Sequence, residues 1–205
     1  MAWFRTGNGR DIGPGVVLKF QDGTSGTSTY TIDEDGIYLV ASLYQRFGSG
    51  SVTLPSGVTA DYTYSFNYDG RGMTYAIATL SECDEVTITA TLSSSWLSGA
   101  KIVVKLPMSV TSMLASKQIN DAVCSMEATD LPSGSSGKVL CFCGSYSQSY
   151  GSLIDRSYLP TGVEVLAGCV GTNTLIRIFV CDVDIFPHCE FSSWSGGSTM
   201  IAVMQ

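Results

Sequence analysis

The 205-residue chain lacks the features that would assign it to a membrane, to a secretory route or to a nucleic acid. It has no run of about 20 apolar residues, so no membrane insertion is expected. Its opening residues, MAWFRTGNGRDIG, have neither the basic flank nor the apolar stretch of about 7–15 residues of a signal peptide. Only 11 Lys and Arg stand against 18 Asp and Glu, and they are scattered. Because a phosphate-binding surface needs clustered cations, no nucleic-acid partner is expected.

Groups suited to catalysis are also few. The single histidine, His188, adjoins Cys189, and neighbouring residues of a strand point to opposite faces, which argues against a Cys–His catalytic pair. The acidic segments IDEDG and CDVD could be proposed for glycoside hydrolysis or calcium binding. Neither has the alternating oxygen ligands of a calcium loop, and a turn and an outward strand face explain them better. We predict a non-enzymatic protein with no catalytic residue and no cofactor.

Seven cysteines form an odd set, and six lie in the second half of the chain: Cys83, Cys124, Cys141, Cys143, Cys169, Cys181 and Cys189. An odd number does not predict a disulfide framework. Cys141 and Cys143 alternate within an apolar run and should share one face of a strand, where a thiol behaves as a small hydrophobe. A zinc site combining Cys181, His188 and Cys189 is the alternative, but no CxxC knuckle is present. We favour buried thiols, no metal site and a reducing cytosol.

What the sequence does contain is the composition and periodicity of β-sheet. It has 22 Gly and 10 Tyr, and alternation is strong in GIYLVASL, EVTITATL and KIVVKL. In EVTITATL, the threonines should point outward and Val86 and Ile88 inward. The clearest hairpin is DYTYSFNYDGRGMTYAIATL, with a turn at Asp69 to Gly72. Its first strand should place four aromatic residues on one face: Tyr62, Tyr64, Phe66 and Tyr68.

The second half of the chain repeats the order of the first. LPSGV, with Pro55, returns as LPTGV, with Pro160, and Trp96 is answered by Trp194. These four residues mark a structural repeat. We therefore predict an all-β protein made of two tandem, duplicated antiparallel β-sandwich domains of jelly-roll-like form.

The predicted organisation has three parts. Residues 1–15 form an N-terminal anchoring arm, residues 16–106 the first sandwich, and residues 107–205 a linker and the second sandwich. Within the linker, Ser112 to Ala122 is the only segment predicted as a short helix. The segment DAVCSMEAT is the candidate first strand of the second sandwich.

Two segments carry a resemblance to known families. The segment STYTIDEDGIYLVASLYQRF resembles the jelly-roll heads of the tumour-necrosis-factor and complement type, and similar heads on bacteriophage fibres. The opening MAWFRTGNG, ahead of a Gly/Ser/Thr-rich β domain, resembles the start of many phage tail-fibre and head-decoration proteins. The resemblance implies a virion structural protein assembled in the cytoplasm of a bacterial host. A tail, baseplate or fibre-associated surface or adsorption protein is expected first, a capsid decoration protein second, and a bacterial carbohydrate-binding adhesin module third.

Candidate contact residues follow from this interpretation. Trp3, Phe4 and Arg5 are candidates for anchoring the arm to a partner, and other virion proteins are the expected partners. Further copies of the chain are also expected, and a host surface glycan or receptor is a further candidate. The hairpin supplies the surface or intersubunit contact candidates: Tyr62, Tyr64, Phe66, Tyr68, Asp69 and Arg71. For the aromatic residues, packing in the core or between subunits is favoured over receptor contact.

Overall fold

The structure is a computed structural model. It describes residues 10–12, 18–22, 25–44, 48–68, 71–91, 99–107, 110–119, 123–125, 137–147, 161, 164–170, 174–182, 184–185, 188–190 and 195–204. Within these ranges every regular element is a β-strand, every pairing is antiparallel and no helix occurs. The prediction of an all-β, antiparallel protein is confirmed for this part of the chain.

The described strands are, in chain order, β1 (Arg10–Ile12), β2 (Leu18–Asp22), β3 (Gly26–Thr31), β4 (Gly36–Tyr44), β5 (Ser49–Thr53), β6 (Tyr62–Tyr68), β7 (Arg71–Leu80), β8 (Glu85–Thr91), β9 (Gly99–Lys105), β10 (Val110–Ile119), β11 (Val123–Ser125), β12 (Lys138–Ser147), β13 (Glu164–Val170), β14 (Thr174–Asp182), β15 (His188–Glu190) and β16 (Ser195–Met204). They belong to two compact units. One unit is residues 16–107, and the other combines residues 1–15 with residues 108–205.

The unit of residues 16–107 contains two sheets packed face to face. The larger has the order β2-β9-β4-β7-β6, and the smaller has the order β3-β8-β5. Alternation explains the contact, because Val86 and Ile88 on β8 point inward and are fully buried against Tyr38 and Val40 of β4. The threonines between them point away from this core, as the sequence predicts.

The opposite face of the larger sheet is buried as well. Leu39, Ala41 and Leu43 of β4 alternate with the core residues, and each is 0% exposed. All residues from Tyr38 to Tyr44 are therefore buried, which explains the almost unbroken apolar sequence of this central strand.

The first copy of the repeated phrase, Pro55 to Val58, forms a tight turn after β5. The Val58 N–H donates to the Pro55 carbonyl oxygen at 3.1 Å, and Gly57 has a φ of 85°. A positive φ at the third turn position is typical of a type II turn and favours glycine. The matching Pro160, like Trp96 and Trp194, lies outside the described residues.

The second unit also has a larger and a smaller sheet, with the orders β1-β13-β14-β12-β16-β10 and β11-β15. The prediction of a short helix at Ser112 to Ala122 is wrong, because residues 110–119 form β10. This strand pairs with β16 along its length, with two register shifts. Hydrogen bonds to a distant strand override a weak local helix preference here. The candidate first strand, DAVCSMEAT, contains β11.

The strand orders of the two larger sheets correspond. The five strands β2-β9-β4-β7-β6 correspond in order to β10-β16-β12-β14-β13. In each unit the first of these strands lies at one end of the series and the last lies next to it. The other end of the series is formed by two strands that follow one another in the chain. The larger sheet of the second unit has one further strand, β1, which pairs with β13. The position of β13 corresponds to that of β6. In the second unit β1 covers this edge, whereas in the first unit β6 is the last described strand of the sheet.

Candidate functional site

The predicted aromatic hairpin is present as β6 and β7. The two strands pair without a break from Tyr62 opposite Ile77 to Tyr68 opposite Arg71. Only Asp69 and Gly70 lie between the strands, so the connection is two residues long rather than the predicted four, and Gly72 belongs to β7. Two-residue connections fit the twist of antiparallel strands best.

Strand β6 is an edge of the five-stranded sheet. Along it, Tyr62 and Tyr64 are half-buried while Thr63 and Ser65 are exposed, which confirms the alternation predicted for this part of the strand. The rings of Tyr64 and Tyr75 lie 5.6 Å apart at an angle of 34°. Burial, followed by the proximity of Tyr64, raises the pKa of the Tyr75 hydroxyl. The half-buried tyrosines therefore pack partly on the sheet and keep part of their surface in solvent.

Of the remaining predicted contact residues, the structure describes some by backbone alone and others not at all. Phe66 and Tyr68 continue β6 and Arg71 begins β7, and their side chains lie outside the described part of the chain. Asp69 and the anchoring candidates Trp3, Phe4 and Arg5 lie outside it entirely. Their roles stay predictions.

A polar cluster joins the two sheets of the first unit at one end of the sandwich. The Ser42 hydroxyl donates to the Thr89 carbonyl oxygen at 2.8 Å, and the Thr74 hydroxyl donates to the Gly50 carbonyl oxygen at 3.2 Å. The Lys101 ammonium nitrogen donates to the Ser28 hydroxyl oxygen at 3.1 Å. Hydrogen bonds from the larger sheet thus reach all three strands of the smaller sheet.

The cationic member of this cluster is Lys101, whose exposure is 2%. Burial lowers the pKa of its amine, because the charged form loses hydration. Tyr44 is buried nearby, and burial raises its pKa while hydrogen bonds with Thr74 and Ser65 lower it. Sequence reasoning missed Lys101, since lysine is mostly exposed in proteins. The available signal was its alternation with Val103, which is also buried.

The outer face of the smaller sheet is lined with hydroxyl groups. Thr27 and Thr89 have their hydroxyl oxygens 2.9 Å apart, and those of Thr29 and Thr87 are 3.2 Å apart. Serines and threonines of β5 continue these rows, because Ser51 lies opposite Thr89. Strand pairing and exposure explain this face, since threonine favours exposed strand positions and pairs well across strands.

Carboxylates occupy the loops at the other end of the sandwich. The Asp35 carboxylate accepts the Glu82 N–H at 2.8 Å, and the Asp84 carboxylate accepts the Ser81 N–H at 2.8 Å. Glu34 forms a 3.0 Å ion pair with Lys105. These contacts are of the kind that hold turns together. Among the described residues, no group of three or more His, Cys, Asp or Glu side chains could hold a metal ion.

The residues of the second acidic segment and the described cysteines lie on different strands and turns. Asp182 ends β14, and Asp184 lies in a turn closed by the Ile185 N–H on the Asp182 carbonyl oxygen, not on the strand as predicted. Cys181 is a buried thiol on β14, whereas Cys83 is exposed and has a φ of 70°. His188 and Cys189 belong to β15 in the other sheet of that unit, and their side chains lie outside the described residues, as do those of Cys141 and Cys143.

No protein-family model, curated protein or solved structure matches the chain. In the part of the chain that the structure describes, no helix is long and apolar enough to cross a membrane.

Proposed function

We propose that the chain is a non-enzymatic structural component of a bacteriophage virion. Its place is on the tail, baseplate or fibre surface, and it acts by packing against other virion proteins and further copies of itself. The observation that carries the proposal is the β6 edge, where Tyr62 and Tyr64 are half-buried beside exposed polar residues. Tyrosine offers large, rigid contact area at a low entropic cost, which suits an assembly surface.

The proposal includes a duplicated architecture of two tandem jelly-roll-like sandwiches. Its support is the matching strand order of the two larger sheets, with β4 and β12 each between the last strand and the second strand of a hairpin. A repeated fold doubles the number of surfaces available to neighbours. The copies then diverge, because aromatic residues in β6 are replaced by smaller residues in β13.

The chemistry of the described polar groups supports a structural role. Lys101, Ser42 and Thr74 join the sheets of the sandwich, and the carboxylates of Asp35 and Asp84 accept backbone N–H groups. These groups position the backbone and leave the edges and outer faces as the surfaces for partners.

The decisive experiment is electron microscopy of native particles with a gold-labelled antibody against the chain. Label at the tail or fibres is the expected result. Label on the head alone would replace the tail assignment by the capsid decoration role. Intact particles without label, in a culture that expresses the chain, would contradict a virion component of either kind.

A carbohydrate-binding adhesin module is the second candidate, and the exposed part of Tyr62 and Tyr64 is the observation that favours it. Such a module is expected to bind glycans as an isolated chain, and Tyr62→Ala should then abolish binding. Thr53→Ala, on the exposed face of β5, is the matched control. Absence of binding for the wild-type chain on a glycan array is the result that the virion proposal expects.

A further inference from the structure

Strand β6 is the longest of the described edge strands of the first unit, the others being β2, β3 and β5. It has seven residues, without charge, proline or glycine, and its pairing with β7 has no register shift. The opposite edge, β2, has five residues including Lys19 and Asp22. In the smaller sheet, the edges β3 and β5 have six and five residues, and each contains a glycine. Edge strands of monomeric proteins are usually short, charged, bulged or interrupted by proline, because an unprotected edge pairs with another strand.

In the second unit, the corresponding edge position is paired with a further strand. Its β13, which corresponds to β6 in strand order, pairs antiparallel with β1 over Arg10 opposite Cys169 to Ile12 opposite Ala167. Strand β1 is therefore paired with β13. Among the described strands β7 alone pairs with β6, so the position that β1 takes beside β13 has no described counterpart beside β6.

The sequence of β6 is self-complementary in an antiparallel arrangement. Read from its central residue, Ser65, the strand YTYSFNY has an aromatic residue, a polar residue and an aromatic residue in each direction. A two-fold axis at Ser65 places Tyr64 opposite Phe66 of a second copy and Thr63 opposite Asn67 of a second copy. Like then meets like, and aromatic cross-strand pairs are among those that stabilise sheets.

We infer that β6 pairs antiparallel with β6 of a second copy about a two-fold axis at Ser65, which joins two five-stranded sheets into one of ten strands. The inference rests on the proposed assembly role and names its partner. The new pairing adds backbone hydrogen bonds at the edge and covers the exposed part of Tyr62 and Tyr64.

A charge-swap experiment tests this register, because only residue 65 lies opposite its own copy. Ser65→Lys and Ser65→Glu each place two like charges at the axis, and each variant alone should raise the dissociation constant of the dimer by about tenfold or more. An equimolar mixture of the two variants should restore dimers, now as Lys–Glu pairs. Sedimentation velocity of the full chain measures the dimer in each variant alone and in their mixture. The control is Ser51→Lys, an exposed position of β5, which should leave the dimer unchanged.

The outcomes separate this inference from the proposed function. A wild-type multimer that Ser65→Lys leaves intact, or a mixture that fails to recover dimers, overturns the β6 pairing and leaves the virion role standing. Particles without gold label contradict the virion role whatever the charge swap shows. If the charged variants do not fold by circular dichroism, the wild-type chain decides: a monomer at the highest soluble concentration overturns the pairing.

Discussion

The sandwich formed by residues 16–107 holds its two sheets together by different means at its two ends. From the acidic loops to the middle of the sandwich, hydrocarbon fills the space between the sheets, with Ile32, Val86 and Ile88 at 2% exposure or less. At the other end, Ser42, Thr74 and Lys101 cross the same space with hydrogen bonds. Apolar packing is strong but has no preferred direction, whereas a hydrogen bond requires particular atoms to meet. We therefore expect the apolar part to supply most of the stability and the polar end to fix how the sheets align.

The largest predicted effect comes from the apolar part. Ile88→Ala removes a fully buried side chain between the sheets and should lower the free energy of unfolding by about 2–5 kcal/mol. Thr91→Ala, an exposed change on the same strand, should stay within about 0.5 kcal/mol of the wild type. Urea unfolding followed by fluorescence measures both. Equal losses for the two variants would mean that β8 does not carry the core.

Packing at the polar end is tested by Gly50→Ala. A Cβ at Gly50 would lie 2.5 Å from the Ser42 hydroxyl oxygen and 2.8 Å from the Tyr44 ring. The resulting shift should cost about 1–3 kcal/mol of the free energy of unfolding. Ser51→Ala, one residue along the exposed side of β5, is the control. A variant as stable as the wild type would show that the sheets are not held this closely.

Ser42→Ala tests the hydrogen bonds themselves. It removes the donor to the Thr89 carbonyl oxygen within a buried site and should cost about 1–2 kcal/mol. The change also removes the atom that a Cβ at Gly50 would meet first. The double variant with Gly50→Ala should therefore lose less stability than the two single losses added together. Simple additivity would contradict the contact between these two sites.

The smallest effect is expected from Lys101→Met, and it has the opposite sign. Burial lowers the pKa of Lys101 below its ordinary 10.5. Between the lowered pKa of the folded chain and 10.5, the unfolded chain therefore binds more protons than the folded chain. The wild type should therefore gain stability as pH rises through this window, and the Met variant should lack that gain. At neutral pH the variant should be more stable by on the order of 1 kcal/mol.

Thermal unfolding across pH measures this difference. Lys105→Met is the control, because Lys105 is partly exposed and paired with Glu34, and such pairs contribute about 1 kcal/mol or less. A Met variant at position 101 that is less stable at every pH would mean that the ammonium group is favourably paired in the folded chain.

The sequence predicted features that depend on local pattern. Alternation placed Val86 and Ile88 inside, and the spacing of the aromatic residues located the β6–β7 hairpin. Predictions from local pattern failed where a residue distant in sequence determines the secondary structure or the burial. Residues 110–119 become β10 because β16 pairs with them, and Lys101 is buried because the hydroxyl of Ser28, 73 positions away, receives its hydrogen bond. Neither partner can be read from the surrounding sequence.

The same contrast applies to the candidate site. The tyrosines of β6 could be predicted to share a face, but that β6 ends its sheet follows only from the strand order. The proposed assembly depends on this edge position, since an internal strand is paired with a neighbour on both sides.

Pairing through β6 has to appear in the molecular mass, which sedimentation equilibrium of the purified full chain measures. The expected result is a species of twice the mass of the chain at high concentration, in reversible equilibrium with the single chain on dilution. A single chain at every concentration up to the solubility limit would contradict it.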